Sequence, residues 1–248
     1  MSAPAWLSAS TRFNRAGALK RTLAWLWEEH GSPNLTRTVP HLTKPRPRDQ
    51  MATTEQASAL IDAAREDLRL FILFCSDLAI RSGTAVKIGP EHYDTQSQTL
   101  RFTTKKDARV CLQVTREIAT LIATCTDGSG DPFITQIRRR LNPARMRQQA
   151  NAWVSATKLR TEMKELRLSL GIETRITPHD LRRTTAVRLY KYTHDLRKVQ
   201  SLLGHRSMQC TIWYLDHELE EVDSADLAAI KKPFIAWRKE QTDAQKVS

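Results

Sequence analysis

The sequence predicts a mainly α-helical fold with a small antiparallel β-sheet. Along most of the 248 residues, apolar side chains recur at the three- and four-residue spacing of amphipathic helices. Only two short segments show the alternation and β-branched residues that are typical of strands. The longest apolar run, residues 70–75, has six residues, which is far below the ~18 that a membrane-spanning helix needs. These helices are therefore expected to pack into a globular core.

The N-terminal segment predicts one helix followed by a linker. Residues 16–30 place Leu19, Leu23, Leu26 and Trp27 on one face, and Gly31 follows the helix. Four prolines make the next stretch a linker, because proline blocks helix and ladder hydrogen bonds: Pro33, Pro40, Pro45 and Pro47. We therefore divide the chain into a residual helical arm with its proline-rich linker, residues 1–48, and a main domain with a C-terminal tail, residues 49–248.

The main domain begins with helices, continues with a strand pair and ends in further helices. Predicted helices cover residues 54–64, 67–80, 115–125, 146–170, 178–193 and 195–203. The two strands cover residues 100–104 and 110–114, and the polar residues 105–108 lie between them as the turn.

The charge of the chain is strongly basic and unevenly distributed. It has 39 Lys and Arg against 27 Asp and Glu, a net charge of +12, and the residues after Tyr214 are on balance acidic. Between Asp131 and Glu162 there are seven bases and no acid. Such a surface is typical of polyphosphate binding, although a basic protein without a nucleic-acid partner has the same composition. The candidate DNA-binding residues are Arg138, Arg139, Arg140, Arg145, Arg147 and Lys158.

The four cysteines, Cys75, Cys111, Cys125 and Cys210, show no CxxC pairing. We therefore expect neither a disulfide framework nor a zinc site. We expect the cysteines to be reduced thiols in the cytoplasm. The N-terminus has no apolar segment of the secretory type, and we expect no membrane partner. No metal and no cofactor are predicted.

Residues 176–184 predict a helix start that is suited to binding phosphate. Thr177 fits the N-cap, Pro178 the first helical position, and Asp180 stands three residues after the cap. His179 and Arg182 are then three residues apart, on one face of the first turn. An imidazole, a guanidinium and free backbone N–H groups together bind phosphate well. By itself this short motif also occurs on solvated helix faces.

Two further motifs follow at fixed distances. The helix at 195–203 ends at Gly204, His205 comes 23 residues after Arg182, and Tyr214 comes nine residues after His205. At this point the sequence resembles the tyrosine recombinase (phage integrase) family, whose C-terminal signature is HxLR, then LLGH, then a tyrosine segment at these spacings.

The resemblance extends upstream. Arg81, in the segment 78–88, matches the first catalytic arginine of the family, and Lys105 matches its mobile catalytic lysine, with Lys106 as the adjacent alternative. Thr84 stands where the family usually has an acid that supports the site, and Ala79 and Ile80 stand where a glycine usually precedes the arginine. The likeness runs from about residue 16 to the C-terminus, and most of the family's core-binding domain has no counterpart here.

The resemblance implies a tyrosine recombinase catalytic-domain fold and a metal-independent, site-specific DNA recombinase (integrase). By resemblance, Tyr214 attacks the phosphodiester and forms a 3′-phosphotyrosine. Arg81 and Arg182 bind the non-bridging oxygens as planar forks, which lysine does less well. His179 assists proton transfer, Lys105 protonates the leaving 5′-oxygen, and His205 hydrogen-bonds the phosphate.

The implied partners are double-stranded DNA and three further copies of the chain, in a tetramer on DNA. An apolar stripe within residues 225–239 is the candidate for docking on a neighbour, interrupted by Pro233: Leu227, Ile230, Phe234 and Trp237. The alternatives are a weak or inactive DNA-binding fragment, a type IB topoisomerase, and a helix-turn-helix regulator without catalysis. Tyr190 and Tyr192 are the alternative nucleophiles. The LLGH motif and the nine-residue gap favour the recombinase.

Overall fold

A computed structural model describes residues 8–43, 50–104, 108–125, 128–143 and 153–215. The chain forms two compact units, Met1–Asp49 and Gln50–Ser248. No helix in these described ranges is both long enough and apolar enough to cross a membrane.

The described part of the first unit consists of one long helix and a short turn. Helix α1 (Ala9–His30) begins at Ser8, whose hydroxyl accepts a hydrogen bond from the Thr11 amide at 3.2 Å, and ends at Gly31 in the left-handed conformation. The predicted helix over 16–30 is confirmed and starts seven residues earlier, at this cap. A 3₁₀ turn (Thr36–Thr38) follows.

The second unit is mainly helical, with one three-stranded sheet among its described residues. Its helices are α2 (Thr54–Ala63), α3 (Glu66–Ser76), α4 (Ser82–Ala85), α5 (Arg116–Ala123), α6 (Phe133–Leu141), α7 (Ala156–Ser169), α8 (Pro178–Thr193), α9 (Leu196–Leu203) and α10 (Met208–Leu215). The strands are β1 (Tyr93–Asp94), β2 (Thr99–Thr103) and β3 (Arg109–Gln113), and a 3₁₀ turn (Pro90–His92) precedes β1. The predicted mainly helical fold with a small antiparallel sheet is confirmed.

The sheet has the order β1-β2-β3, and both pairings are antiparallel. Leu100 pairs with Leu112, and the amide of Thr104 donates to the carbonyl of Ala108 at 2.9 Å to close the β2–β3 connection. The predicted strand pair is confirmed, one residue nearer the N-terminus; β1 is a two-residue strand that the sequence pattern does not reveal.

Helix α3 forms the centre of the main core. All six side chains of its apolar run 70–75 are at most 1% exposed, because the helix packs against α6 on one side and α8 on another. Burying a large aliphatic or aromatic side chain stabilises a fold by about 1.5–3 kcal/mol, so this run anchors the domain. A second, smaller cluster holds α8, α9 and α10 together through Ala186, Val187, Val199, Leu203 and Leu215.

Two of the predicted helices have different ends in the structure. The prediction of helix over 67–80 is wrong after Ser76: the chain turns there, and Ala79 adopts a left-handed conformation with φ of 49°. The amide of Ile80 donates back to the carbonyl of Phe74 at 2.8 Å, which fixes this turn. The prediction over 146–170 is wrong for residues 153–155, which precede α7, and residues 144–152 lie outside the described residues.

Helix α6 was not predicted, although it buries Phe133, Ile134 and Ile137 in the main core. Thr135, Gln136 and Arg138 are all buried and find polar partners inside the fold. The Thr135 hydroxyl accepts from the amide of Val154 at 3.2 Å, and the Gln136 amide group donates to the carbonyl of Asp131 at 2.6 Å. The helix therefore buries polar and apolar side chains together.

Candidate active site

The first turn of α8 is fixed by a capping box. The Thr177 hydroxyl accepts from the amide of Asp180 at 3.4 Å, and the Asp180 carboxylate accepts from the Thr177 amide at 2.8 Å. Pro178 occupies the first helical position. The predicted helix start is confirmed, and it fixes His179 and Arg182 on the first turn, where backbone N–H groups are free of helical partners.

Arg182 is buried, and its guanidinium joins two segments of backbone. Nη1 donates to the carbonyl of Ala79, and Nη2 donates to the carbonyl of Leu203 at 2.7 Å. Burial, reinforced by the nearby charge of Arg81, lowers the pKa of Arg182 to about 10. The guanidinium remains a cation at neutral pH and holds the turn after α3 against the end of α9.

Arg81, which follows α3 in the sequence, donates to the same Leu203 carbonyl as Arg182. It is the N-cap residue of α4, it is exposed, and its Nη1 donates to the Leu203 oxygen at 3.4 Å. Arg81 and Arg182 therefore border one cleft, and each keeps N–H donors that can bind phosphoryl oxygens. No acidic residue is among the lining residues: Ile80, Arg81, Thr84, Phe102, Thr104, Val110, Arg182, Leu202 and Leu203.

The end of α9 positions His205. Gly204 has a φ of 56°, a left-handed conformation that favours glycine, and the amide of His205 donates to the carbonyl of Gln200 at 3.1 Å. The His205 ring nitrogen Nδ1 lies 3.2 Å from the hydroxyl oxygen of Thr211, a buried residue of α10. This contact orients the imidazole.

Tyr214 lies in the last turn of α10, and its ring contacts both histidines edge to face. The ring centroids are 5.4 Å apart for His179 and 5.7 Å apart for His205, with interplanar angles of 85° and 78°. The hydroxyl is buried, lies beside Arg182, and makes no hydrogen bond of normal geometry with any residue that the structure describes. A buried phenol oxygen without a hydrogen bond is poised to act on an incoming ligand.

The environment shifts the pKa values of Tyr214 and His179 in directions that suit proton transfer between them. Burial raises the pKa of Tyr214, while the charge of Arg182 opposes this effect by favouring the phenolate. Burial also lowers the pKa of His179, and the charge of Arg182 adds to that effect. At neutral pH the pair is therefore a phenol and a neutral imidazole, and such an imidazole can accept the proton of the phenol.

The structure thus groups five of the six predicted catalytic residues: Arg81, His179, Arg182, His205 and Tyr214. Lys105 and its alternative Lys106 lie outside the described residues, between Thr104 and Ala108. Neither alternative nucleophile joins the group: the Tyr190 ring lies against His194, with ring centroids 6.0 Å apart, and Tyr192 is 88% exposed. The juxtaposition is observed; the individual catalytic roles stay predictions.

Sequence reasoning missed two features of this site. The carbonyl of Leu203 accepts hydrogen bonds from both arginines. A main-chain acceptor of this kind cannot be recognised from the sequence, because every residue has a carbonyl group. Thr104 lines the cleft, and its only signal was its place directly before Lys105. Thr84, which replaces the usual acid of the family, also lines the cleft.

The basic stretch 138–160 divides into buried and exposed residues. Arg138 is 4% exposed, and its guanidinium is bound by Asp67 and by Glu162, with Nη1 at 2.9 Å from Glu162 Oε1. The donors of Arg138 are thus used inside the fold, and DNA binding by Arg138 stays a prediction. Arg139 pairs with Asp131 at 2.6 Å.

The remaining bases of that stretch keep their candidacy. Arg140 is partly exposed and pairs with Glu66, and Lys158 is half-buried on the first turn of α7. Arg145 and Arg147 lie outside the described residues. An exposed pair of this kind is weak, so Arg140 can exchange its partner for a phosphate.

Comparison with known proteins agrees with this geometry. Residues 50–221 match the model of the phage integrase family. A tyrosine recombinase XerC from Rhodospirillum centenum (strain ATCC 51521 / SW) is 27% identical over 244 residues, which cover 88% of this chain and 67% of the relative. A tyrosine recombinase XerC from Rhizobium meliloti (strain 1021) is 42% identical over 72 residues, covering 29% of this chain and 21% of the relative.

Solved structures share the fold at lower identity. A XerH site-specific recombinase bound to a palindromic difH substrate, in a post-cleavage complex, superposes with a TM-score of 0.65 at 17% identity, covering 94% of this chain and 68% of that one. A lambda integrase (75-356) dimer bound to a COC′ core site superposes with a TM-score of 0.64 at 18% identity, covering 87% of this chain and 76% of that one. Together with the match over most of the second unit, these likenesses show that the chain belongs to the phage integrase family of tyrosine recombinases.

Proposed function

We propose that this protein is a site-specific DNA recombinase that cuts and rejoins DNA through a phosphotyrosine at Tyr214. The observation that carries the proposal is the buried Tyr214 hydroxyl, which lies beside Arg182 with both histidine rings against its own ring. A structural tyrosine normally satisfies its buried hydroxyl within the fold. A nucleophile instead keeps that oxygen for the substrate.

The chemistry follows from these groups. The Tyr214 oxygen attacks the phosphorus of a DNA phosphodiester, a new phosphorus–oxygen bond forms, and the bond to the 5′-oxygen breaks. Neutral His179 accepts the phenol proton, and the leaving 5′-oxygen takes a proton from Lys105. The products are a 3′-phosphotyrosine and a free 5′-hydroxyl. Attack by a 5′-hydroxyl on the phosphotyrosine reverses these steps and joins strands without ATP.

Arg81 and Arg182 supply the electrostatic stabilisation. Negative charge builds on the non-bridging oxygens as phosphorus is attacked, and two fixed guanidiniums neutralise it without reorganising at that moment. Because both arginines are held by one carbonyl, their spacing is set before DNA arrives. His205, oriented by Thr211, donates a third hydrogen bond to the phosphate.

Double-stranded DNA is the proposed partner. The net charge of +12 favours association with a polyanion, and solved relatives of this fold are described as bound to DNA. We place the protein in the cytoplasm, associated with DNA. Assembly into a tetramer on DNA belongs to the same proposal, with the stripe at 225–239 docking on a neighbouring copy; this stripe lies outside the described residues.

A covalent selection tests the proposal. Nicked duplexes with a randomised core are incubated with the protein, so that cleavage next to the nick releases a short fragment and traps the phosphotyrosine. Adducts that survive SDS are recovered and sequenced. We expect enrichment of one core sequence that is joined to the peptide containing Tyr214. Stable DNA binding without any adduct would instead indicate a DNA-binding protein that has lost catalysis, and a sequence-independent adduct would indicate a topoisomerase.

A further inference from the structure

The hydroxyl of Thr104 is the second buried oxygen of this region without a partner. Its Oγ1 is buried and makes no hydrogen bond with any residue in the described ranges. Thr104 lines the same cleft as Arg81 and Arg182. A buried hydroxyl that stays unpaired destabilises the free protein, so such a group in a cationic cleft points to a ligand that completes it.

The position of this hydroxyl is fixed by contacts on both sides of the residue. The backbone amide of Thr104 donates to the carbonyl of Ala108 at 2.9 Å, which ties it to the start of β3. Its methyl group lies against Gly204: a Cβ atom at Gly204 would meet Thr104 Cγ2 at 2.8 Å. Because a β-branched side chain has few rotamers, holding the methyl group there also holds the hydroxyl.

The chemistry of the cleft selects an anion as the ligand. Its polar side chains are two arginines and two threonines, with no carboxylate among the lining residues that the structure describes. Threonine hydroxyls can donate to a phosphoryl oxygen, and donation to a charged oxygen is stronger than donation to a neutral one. An apolar or cationic ligand would leave the guanidinium donors without acceptors.

We infer that Thr104 donates a hydrogen bond to a non-bridging oxygen of the phosphate that Arg81 and Arg182 bind. This inference rests on the proposed function for the identity of the phosphate, a DNA phosphodiester. It gives the short β2–β3 hairpin a direct part in phosphate binding. It also explains why Gly204 must lack a side chain, since a methyl group there would push Thr104 out of the cleft.

The test compares Thr104→Val, which keeps the shape but removes the hydroxyl, with Thr104→Ser, which keeps the hydroxyl. Thr103→Val is the matched control, because Thr103 is the exposed preceding residue, at the end of β2. The duplex is the one that the covalent selection enriches. Loss of a hydrogen bond to a charged oxygen in the transition state lowers a reaction rate by about 10- to 100-fold. The rate of adduct formation should therefore fall by that factor in Thr104→Val and stay unchanged in Thr104→Ser and Thr103→Val.

Two further measurements separate this role from a structural one. The melting temperature of Thr104→Val should equal or exceed that of the wild type, because a methyl group replaces an unpaired buried hydroxyl. A duplex with a sulfur atom at the 5′-bridging position has a leaving group that needs no proton, given a thiol pKa of about 8.5. The defect of Thr104→Val should persist on it. Full rescue by sulfur would show that Thr104 acts on the leaving group, and would overturn the inference.

Binding of orthovanadate without DNA keeps the inference testable by itself. The anion should bind the wild type and Thr104→Ser about equally, and bind Thr104→Val about 10-fold more weakly, as measured by titration calorimetry. If wild type forms no adduct but this difference holds, the proposed recombinase function fails while the anion contact stands. Equal vanadate affinity and equal adduct rates in all variants would refute the inference.

Discussion

Arg81 and Arg182 both donate to the main-chain carbonyl of Leu203, at 3.4 Å and 2.7 Å. The last carbonyls of a helix lack partners within the helix, so the end of α9 is a natural acceptor for cations. The two arginines reach it from distant parts of the sequence, one from the turn after α3 and one from α8. The shared acceptor sets the distance between two guanidiniums that would otherwise repel each other.

Tyr214→Phe should abolish the covalent adduct and leave DNA affinity within a few-fold of wild type. The variant removes only the attacking oxygen, whereas affinity rests on contacts with phosphates over the whole basic surface. The measurement is adduct yield on SDS gels beside a filter-binding titration. Tyr192→Phe is the control, since Tyr192 is 88% exposed and should react normally. Normal adduct formation by Tyr214→Phe would exclude Tyr214 as the nucleophile.

Arg81→Ala and Arg182→Ala should each slow cleavage by about 10³-fold or more, because each removes a cation that stabilises the phosphoryl charge. Their effects on folding should differ. Arg182→Ala leaves the Ala79 carbonyl without its side-chain donor, at a cost of about 1–3 kcal/mol, and leaves the Leu203 carbonyl with the longer bond from Arg81 alone. Arg81→Ala should leave the melting temperature nearly unchanged, because Arg81 is exposed. Single-turnover rates and thermal melts distinguish the two. Cleavage should also continue in EDTA, since guanidiniums neutralise the phosphate; complete loss on chelation would contradict this mechanism.

Cleavage should be retained at the ordinary pKa of histidine, about 6.5, and fall only at lower pH, because burial lowers the pKa of His179 in the folded protein. The unfolded chain takes up the proton first, so folding stability begins to fall below about pH 6.5. Above it, His179 is neutral in both states and makes no contribution to the pH dependence. His179→Gln should remove the part of the stability loss at low pH that is due to His179, as measured by urea unfolding at pH 7.5 and 5.5. An unchanged pH slope in the variant would show that another group titrates.

Gly204→Ala should destabilise the fold more than Gly171→Ala. Both glycines have positive φ, 56° and 68°, so alanine introduces strain of about 1 kcal/mol at either position. Only at Gly204 would the new Cβ also collide, at 2.7 Å with Val110 Cγ2 and 2.8 Å with Thr104 Cγ2, while nothing lies within 4 Å at Gly171. Thermal melts of the two variants measure the difference. Equal losses would mean that the hairpin moves aside without cost.

Arg138→Gln should mainly lower the stability of the fold, whereas Arg140→Gln should mainly change the salt dependence of DNA binding. Arg138→Gln removes one of the two arginines that bind the fully buried carboxylate of Asp67, and Arg65 remains as the other. The loss of stability should therefore stay below the ~3–5 kcal/mol of an unpaired buried charge, and the salt dependence of DNA binding should be unchanged at a temperature where the variant is folded. Arg140→Gln breaks a partly exposed pair worth at most about 1 kcal/mol. If Arg140 binds a phosphate, the slope of log K against log salt becomes shallower by about 1. An unchanged slope would place Arg140 away from DNA.

Local features of the site were predictable because they depend on neighbouring residues. The capping box at Thr177 and Asp180, the stop at Gly204 and the hairpin around residues 105–108 involve side chains within a few positions of each other. The burial of Arg138 on α6 and the turn at Ala79 were not predictable in this way. The first depends on Asp67, 71 residues away, and the second is held by Arg182, 103 residues away.

By itself, the sequence determined the kinds of reactive groups, their order and their spacing, and hence the chemistry to expect. Spacing along a helix is fixed by local geometry, so one helix cap was enough to place His179 and Arg182 on one face. The two intervals to His205 and Tyr214 indicated the site through their resemblance to the tyrosine recombinase family. Only the tertiary structure decided which cations serve that site. Arg182 and Arg138 are both buried arginines, yet one lines the cleft and the other is neutralised inside an ion-pair network. Burial and pairing arise from contacts between distant segments, which composition and periodicity do not encode.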